Sequence, residues 1–417
     1  MNESDSERIA AIFEKNGMKP VFKMTEADLI IVNSCSVRQS AVDRIFGQIK
    51  NFLKIKKKNP NLKTILTGCV LPADKIKFRK YFDFIFDIKD LPEWPKILSK
   101  IAIRESIPDY LKIKPIYKSK FSAFVPISNG CDNFCTYCAV PYTRGRLTCR
   151  NHKQIIKEVK ELIRKRYKEI WLLGQNVNNY HSPDNPEIDF AELLKMINNV
   201  PGDFWIRFTS PHPKDFSDKL IKAMAQCKKI TPYLNLPAQS GDDEILRKMN
   251  RPYNIKQYKT LVAKIRKAFK QYRKGLEKEI SLSTDIIVGF PSETEKQFQN
   301  SVKLFKDIKF DMAYIAEFSP RPNTAAAKMK DNVSKKEKEK RKKILNDILR
   351  ESAINNNQKY INKEVDILVE EKTKGSLFGK TRSSKTVRLD GPEKLIGKIV
   401  KVKIINVSPW GLNGVLI

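Results

Sequence analysis

Apolar and polar positions along this chain fall into distinct rhythms. From residue 1 to about 95, helical spacing and short apolar runs take turns. "SERIAAIFEKNG" is amphipathic and closes on Gly17, a residue able to take positive φ past a helix end. "DLIIVNSC" is an apolar run that stops at Cys35. "VDRIFGQIKNFLKIKKKN" places apolar residues at 42, 45, 46, 49, 52 and 53, the spacing of one helix face. "KTILTGC" closes at Cys69, and "FDFIFDI" is a third short run. The pattern predicts a flavodoxin-like α/β unit with a parallel sheet, both cysteines lying at carboxyl ends of strands. Ligands bind at that edge of open α/β sheets, so Cys35 and Cys69 are candidates for a shared site. The bland alternative is two small buried hydrophobes.

Residues 96–120, with scattered Pro and Lys, read as a connector. From 121 to 333 the alternation becomes regular. The strand candidates are 123–128, 169–174, 204–210, 232–237, 280–289 and 313–319, with helical patterns such as "QIIKEVKELIRKR" between them. Six such strands predict a (β/α)6 partial barrel, open relative to the eight-fold TIM barrel and carrying active residues at strand carboxyl ends. Residues 334–360 predict one basic helix, its charge mostly a solvated face. The segment 361–417 has β-branched runs broken by Gly and Pro, which predicts a small closed β-barrel.

Charge changes this picture more than composition does. The formal net charge is +33 over 417 residues, a field that attracts nucleic acid or anionic surfaces. Lysine far outnumbers arginine, however, and compositional drift alone would raise the charge in the same way. No apolar run approaches the roughly 18 residues needed to span a bilayer. The opening "MNESDSERIA" is acidic where a secretory leader is basic and then apolar. The expectation is a cytoplasmic protein without membrane contact, and in that compartment its seven cysteines point to metal or redox chemistry.

The densest chemistry lies in "NGCDNFCTYCAVPYTRGR", where Cys131, Cys135 and Cys138 share eight positions. Three thiolates can hold three corners of a four-iron cluster and leave one iron open to a small molecule. Cys131 follows the first barrel strand by three residues, where an active group is expected. A zinc site of Cys131, Cys135, Cys138 and Cys149 is the competing metal reading, although its gaps fit poorly with paired C-x2-C knuckles. Chance clustering is the other. His152, His181 and His212 are scattered and form no hydrolytic constellation.

C-x3-C-x2-C in a β/α barrel resembles the radical S-adenosylmethionine (SAM) superfamily. "LLGQNVNNY", "RFTSPHPKDF", "LPAQSGDDEILRKMNRPY", "STDIIVGFPSETEKQF", "FSPRPNTAAA" and "NSCSVR" narrow the likeness to its methylthiotransferases. More closely the motifs resemble the tRNA-2-methylthio-N6-dimethylallyladenosine synthase group, and the likeness runs nearly end to end, with the last segment similar to a TRAM RNA-binding barrel. It implies an N-terminal methylthiotransferase domain over 1–95, a radical SAM core over 121–333 and a TRAM domain over 361–417. It implies transfer of a methylthio group to C2 of N6-dimethylallyl adenosine at position 37 of a tRNA anticodon loop. Two 4Fe-4S clusters, SAM, an electron donor and a sulfur donor belong to that expectation, acting with a monomer.

By the same resemblance Cys131, Cys135 and Cys138 bind the catalytic cluster, while Cys35 and Cys69 match two of three ligands of an auxiliary one. The third normally sits in a stretch like G-C-Q-M-N, with a strand before it. This sequence begins at Met1-Asn2, so the auxiliary cluster is under-ligated, and the expectation is a native start further upstream. Tyr137 is placed to contact adenine. Gln175, Asn176, Ser210, Gln239 and Asp285 are candidates for the methionine and ribose groups. Arg144 and Arg146 are candidates for phosphate or the substrate base, and Lys380, Arg382, Lys385 and Arg388 for the RNA backbone. The rival readings are a sister methylthiotransferase acting on threonylcarbamoyladenosine or a ribosomal protein, and an RNA-binding protein with a structural or redox-sensing cluster.

Overall fold

The computed structural model describes residues 1–35, 39–99, 109–273 and 280–417. Part of "NSCSVR" (36–38) and part of the connector (100–108) lie outside the described residues. The chain forms two compact units: Met1–Lys118 with Asn129–Thr148 and Ser319–Lys328, and Ser119–Ser128 with Cys149–Phe318 and Met329–Ile417.

In the first unit, α1 (Asn2–Lys15) ends just before Gly17 at φ 87, as expected for that glycine. Next come β1 (Leu29–Cys35), α2 (Gln39–Lys58), β2 (Lys63–Cys69), α3 (Pro72–Phe78) and a short β3 (Phe84–Ile85). The strands are parallel in the order β1-β2-β3. Successive side chains of a strand face opposite ways. On β2, Ile65 therefore meets Ile9, Ile12 and Phe13 of α1, while Leu66 meets Val42, Ile45, Ile49 and Phe52 of α2. Burial on both faces explains why the apolar Ile65 and Leu66 are adjacent instead of alternating with polar residues. Each such side chain contributes about 1.5–3 kcal/mol. Tyr110, Leu111 and Ile113, expected in a connector, are buried in the α1 core, because their apolar bulk is better satisfied there than in water.

The second unit carries the six expected strands. They are β4 (Ser122–Pro126), β5 (Glu169–Leu173), β6 (Trp205–Phe208), β7 (Tyr233–Asn235), β8 (Ser281–Val288) and β9 (Met312–Glu317). All pair in parallel, in two three-stranded sheets ordered β6-β5-β4 and β7-β8-β9. An isolated parallel bridge, Ile206 with Ile230, stands between them. The helices between strands start on identifiable signals. Asn151 caps α4 (His152–Arg164), and the capping boxes Asn254/Gln257 and Thr294/Gln297 open α7 (Ile255–Tyr272) and α8 (Glu295–Ile308). The intervening α5 and α6 are Phe190–Asn198 and Asp218–Gln226.

The basic helix α9 (Lys335–Gln358) is not solvated throughout. Lys338 and Arg341 are buried, 2.6 Å from Asp331 and 2.8 Å from Glu293, and their cations lie over Phe318 and Phe298. Then follow β10 (Glu364–Thr373), β11 (Ser376–Thr381), β12 (Thr386–Leu389), β13 (Ile399–Ser408) and β14 (Gly411–Leu416). They close a barrel in the order β10-β11-β12-β14-β13 around Val365, Ile367, Leu377, Val387, Val402 and Leu412. Among the described residues no helix is long and apolar enough to cross a membrane.

Candidate functional site

The cysteine loop belongs to the first unit and is held by its own backbone. Gly130 takes φ 83, and a Cβ there would stand 2.1 Å from the Arg146 carbonyl, so the turn into Cys131 requires glycine. Cys131 N–H donates to the Gly145 carbonyl at 3.1 Å, closing the loop at its base. Cys138 N–H donates to the Cys135 carbonyl at 2.9 Å, a tight turn between the last two cysteines. Phe134 turns the chain directly before Cys135 at φ 47. Ala326 N–H donates to the Thr136 carbonyl at 2.8 Å and braces the far side. Cys131 and Cys135 are buried, and Tyr137 and Cys138 half-buried.

None of the seven cysteines is disulfide-bonded. Among the described residues, no three His, Cys, Asp or Glu side chains converge as a single-ion site requires. Thiolates on a cubane bind separate iron atoms and need no common point, so three buried or half-buried thiols on one closed loop fit such a cluster.

Register brings the other two cysteines together. Cys35 and Cys69 are Cα partners at the ends of β1 and β2. Here too a glycine precedes the thiol: Gly68 has φ 96, and a Cβ would lie 2.2 Å from the Ser34 carbonyl. A hydrogen bond to Cys35 and then burial push the Cys69 thiol well above its usual range, with the Arg144 charge opposing them. Cys69 Sγ donates to Asn2 Oδ1 at 3.8 Å.

Arg144, expected to face RNA, is only 1% exposed. Its Nη2 pairs with Asp5 at 2.6 Å, its Nε donates to Cys69 Sγ at 2.9 Å, and its Nη1 donates to Asn129 Oδ1 at 3.1 Å. A guanidinium so paired has no donors left for phosphate; it ties α1, the cysteine loop and the end of β2 together. Arg146 does face solvent, at 74% side-chain exposure, 3.0 Å from Asp132 and over the Phe134 ring. Sequence reasoning missed Asp5, because a carboxylate in a helical first turn reads as ordinary helix chemistry.

In the second unit Gln175, Asn176, Ser210 and Gln239 lie beyond strand ends, whereas Asp285 stands within β8. Asn176 is buried; its Nδ2 donates to Asp215 at 2.7 Å, while its Oδ1 has no partner among the described residues. Asp285 accepts from Asn235 Nδ2 at 2.9 Å, and its carbonyl accepts from Gln239 N–H at 2.8 Å. Ser210 and Gln239 hold φ 61 and φ 69, a left-handed conformation that non-glycine residues adopt at a cost and that gathers at functional sites. Gln175 is half-buried nearby in sequence. His212 belongs to no hydrolytic constellation in the sequence. Its Nδ1 accepts from Lys214 N–H at 3.2 Å, so Nε2 carries the proton, and that donor is buried without a partner among the described residues. Burial, then the charges of Arg251 and Lys214, pull its pKa down to about 2, so the ring stays neutral. Orphaned buried polar atoms on Asn176 and His212 suit a polar small molecule.

The four basic candidates of the small barrel divide. Arg388 is exposed, and Lys380 is half-buried 3.4 Å from Glu370. Lys385 is buried 2.8 Å from Asp311, which removes it from any RNA contact. Arg382 is half-buried and donates to the Lys228 carbonyl at 2.5 Å. Exposed Lys401, Lys403 and Trp410 offer a surface that the sequence reading passed over; the alternation in "KIVKVKI" was the available signal.

Residues 125–305 match the Radical SAM superfamily, 1–87 the uncharacterized protein family UPF0004, and 358–417 the TRAM domain. The chain is similar to a Clostridium botulinum (strain Hall) protein, the tRNA-2-methylthio-N(6)-dimethylallyladenosine synthase. They are 40% identical over 431 residues, covering 99% of this chain and 94% of that one. It is also similar to the protein of that name from Dehalococcoides mccartyi, 41% identical over 423 residues, covering 100% and 96%.

Proposed function

As this chain belongs to the family of tRNA-2-methylthio-N(6)-dimethylallyladenosine synthases, we propose that it transfers a methylthio group to C2 of N6-dimethylallyl adenosine in tRNA. It is a radical SAM methylthiotransferase, and the observation that carries the reading is the closed loop of Cys131, Cys135 and Cys138 within a family match of nearly full length. The target C–H has no acidic proton for a general base. When bound, a four-iron cluster open at one iron and SAM supply a 5′-deoxyadenosyl radical able to abstract that hydrogen.

The chain's own residues hold and orient. Cys131, Cys135 and Cys138 supply three thiolates from a loop whose base is fixed at Gly145. Asn176 Oδ1 and the His212 Nε2 proton are an acceptor and a donor suited to the amino and carboxylate ends of the methionine moiety; Gln175, Ser210, Gln239 and Asp285 are further candidates. Cys35 and Cys69 would hold two corners of an auxiliary cluster, with Arg144 donating to the Cys69 sulfur. Arg388, Lys401, Lys403 and Trp410 suit phosphates and a stacked base, a mode of contact that weakens steeply with salt. An external electron donor, a sulfur donor and a second SAM as the methyl source complete the balance, and the enzyme acts in the cytoplasm on the anticodon loop.

Mass spectrometry of tRNA nucleosides from a strain lacking the gene tests this. Loss of 2-methylthio-N6-dimethylallyladenosine, restored by a plasmid copy, is expected. Loss of a methylthio-threonylcarbamoyl species in its place would overturn the substrate assignment.

A further inference from the structure

Arg207 lies on β6, inside the second unit, and is fully buried beneath the small barrel. Its Nε donates to Glu169 on β5 at 2.5 Å. Its two terminal nitrogens donate outward to consecutive carbonyls of the loop between β11 and β12: Nη2 to Thr381 at 2.8 Å and Nη1 to Arg382 at 3.0 Å. Trp171 and Trp205 flank the guanidinium at 5.5 and 5.4 Å. Every donor edge of this side chain is directed, and a planar fork of this kind has one pose.

The same loop is held at further points. Arg382 crosses Trp205 at 5.6 Å and donates to the Lys228 carbonyl. Lys385 reaches Asp311 at the start of β9, 2.8 Å away. Within the loop, Ser383 Oγ is 2.9 Å from Thr381 Oγ1 and 2.7 Å from Tyr360 Oη. Anchors at β6, at Lys228 and before β9 are spread across the sheet edge, and three separated anchors fix a rigid body's rotation as well as its place. A buried ion pair is weak evidence for net stability, and in some proteins such a pair specifies a geometry instead.

We propose that Arg207 is a positioning residue. Clamping the 381–385 loop sets the small barrel's orientation on the β4–β9 core, so that RNA held on its exposed basic face reaches the core in one pose. The purpose, though not the clamp, rests on the RNA reading given above.

The test uses the reconstituted full chain and a synthetic anticodon stem-loop carrying N6-dimethylallyladenosine. Arg207→Lys keeps a charge for Glu169 but loses the fork. The double variant Arg207→Met/Glu169→Met removes the pair without leaving a buried lone carboxylate. In both, amide exchange over 381–385 should quicken by about ten-fold or more. Stem-loop affinity should stay within about two-fold, while the modification rate at saturating stem-loop drops by about ten-fold or more, as expected for misplacement of a bound substrate. Unchanged exchange in both variants overturns the clamp. Faster exchange with an unchanged rate, or a loss confined to affinity, overturns its purpose. A parent chain that binds the stem-loop with no salt dependence refutes the RNA reading instead, and the exchange contrast still decides the clamp.

Discussion

The two cysteine groups of the first unit are assembled by opposite means. Cys131, Cys135 and Cys138 are near neighbours in sequence, and their loop closes through its own backbone at Gly145. Cys35 and Cys69 meet only because β1 and β2 pair in one register. Both groups use a glycine with positive φ directly before a cysteine, at Gly130 and Gly68. The first group depends mainly on local chain geometry, whereas the second depends on a packed core; the buried Arg144 joins the two. Damage to packing should therefore disperse one and spare the other.

The sharpest contrast comes from the thiols themselves. Cys138→Ser should abolish SAM cleavage and RNA modification together, as read by 5′-deoxyadenosine release. Cys69→Ser should abolish modification yet leave cleavage measurable. Equal loss of cleavage in both variants would erase the distinction.

Arg144→Ala comes next. It strands Asp5 in a buried position and should cost about 3–5 kcal/mol in urea unfolding. A cost under about 1 kcal/mol, the value of an exposed pair, would show that Arg144 is not buried in solution. Leu66→Ala empties part of the α2 face and should cost about 2–5 kcal/mol. Alkylation of Cys69 should quicken in that variant, while labelling of Cys131 and Cys135 stays as slow as in the parent chain.

Acid separates the units more gently. Glu169 in the second unit is pulled up by burial, yet Arg207 and hydrogen bonds from Ser122 and Trp171 leave it below the usual glutamate value. A depressed folded pKa gives stability that is present above the unfolded value of about 4.3 and lost as pH falls through the folded one. Unfolding of the second unit should become easier below about pH 4, and Glu169→Gln should flatten that dependence. Smallest of all, Arg146→Ala should change stability by less than about 1 kcal/mol while lowering the salt slope of RNA binding by about one.

Legibility followed the same division. The loop cysteines were evident because their spacing is local, and the α/β order was evident because "LIIVN" and "KTIL" are too short for helices and lie between helical patterns. The adjacency of Cys35 and Cys69 was half visible: strand ends could be read, but register could not. Arg144 was misread because "YTRGR" looks like loop charge, and its burial is decided by Asp5, a residue far away in sequence. Lys385 failed for the same reason, its partner Asp311 lying on another element. Charged residues that join distant elements leave no periodic trace.

The central claim is that the Cys131–Cys138 loop carries an iron–sulfur cluster with one iron open to SAM. Electron paramagnetic resonance of the anaerobically reconstituted, reduced chain, recorded with and without SAM, tests it most directly. A cluster signal that shifts on adding SAM, and disappears in Cys138→Ser, is predicted. Zinc in place of iron, or a cluster signal indifferent to SAM, would contradict it.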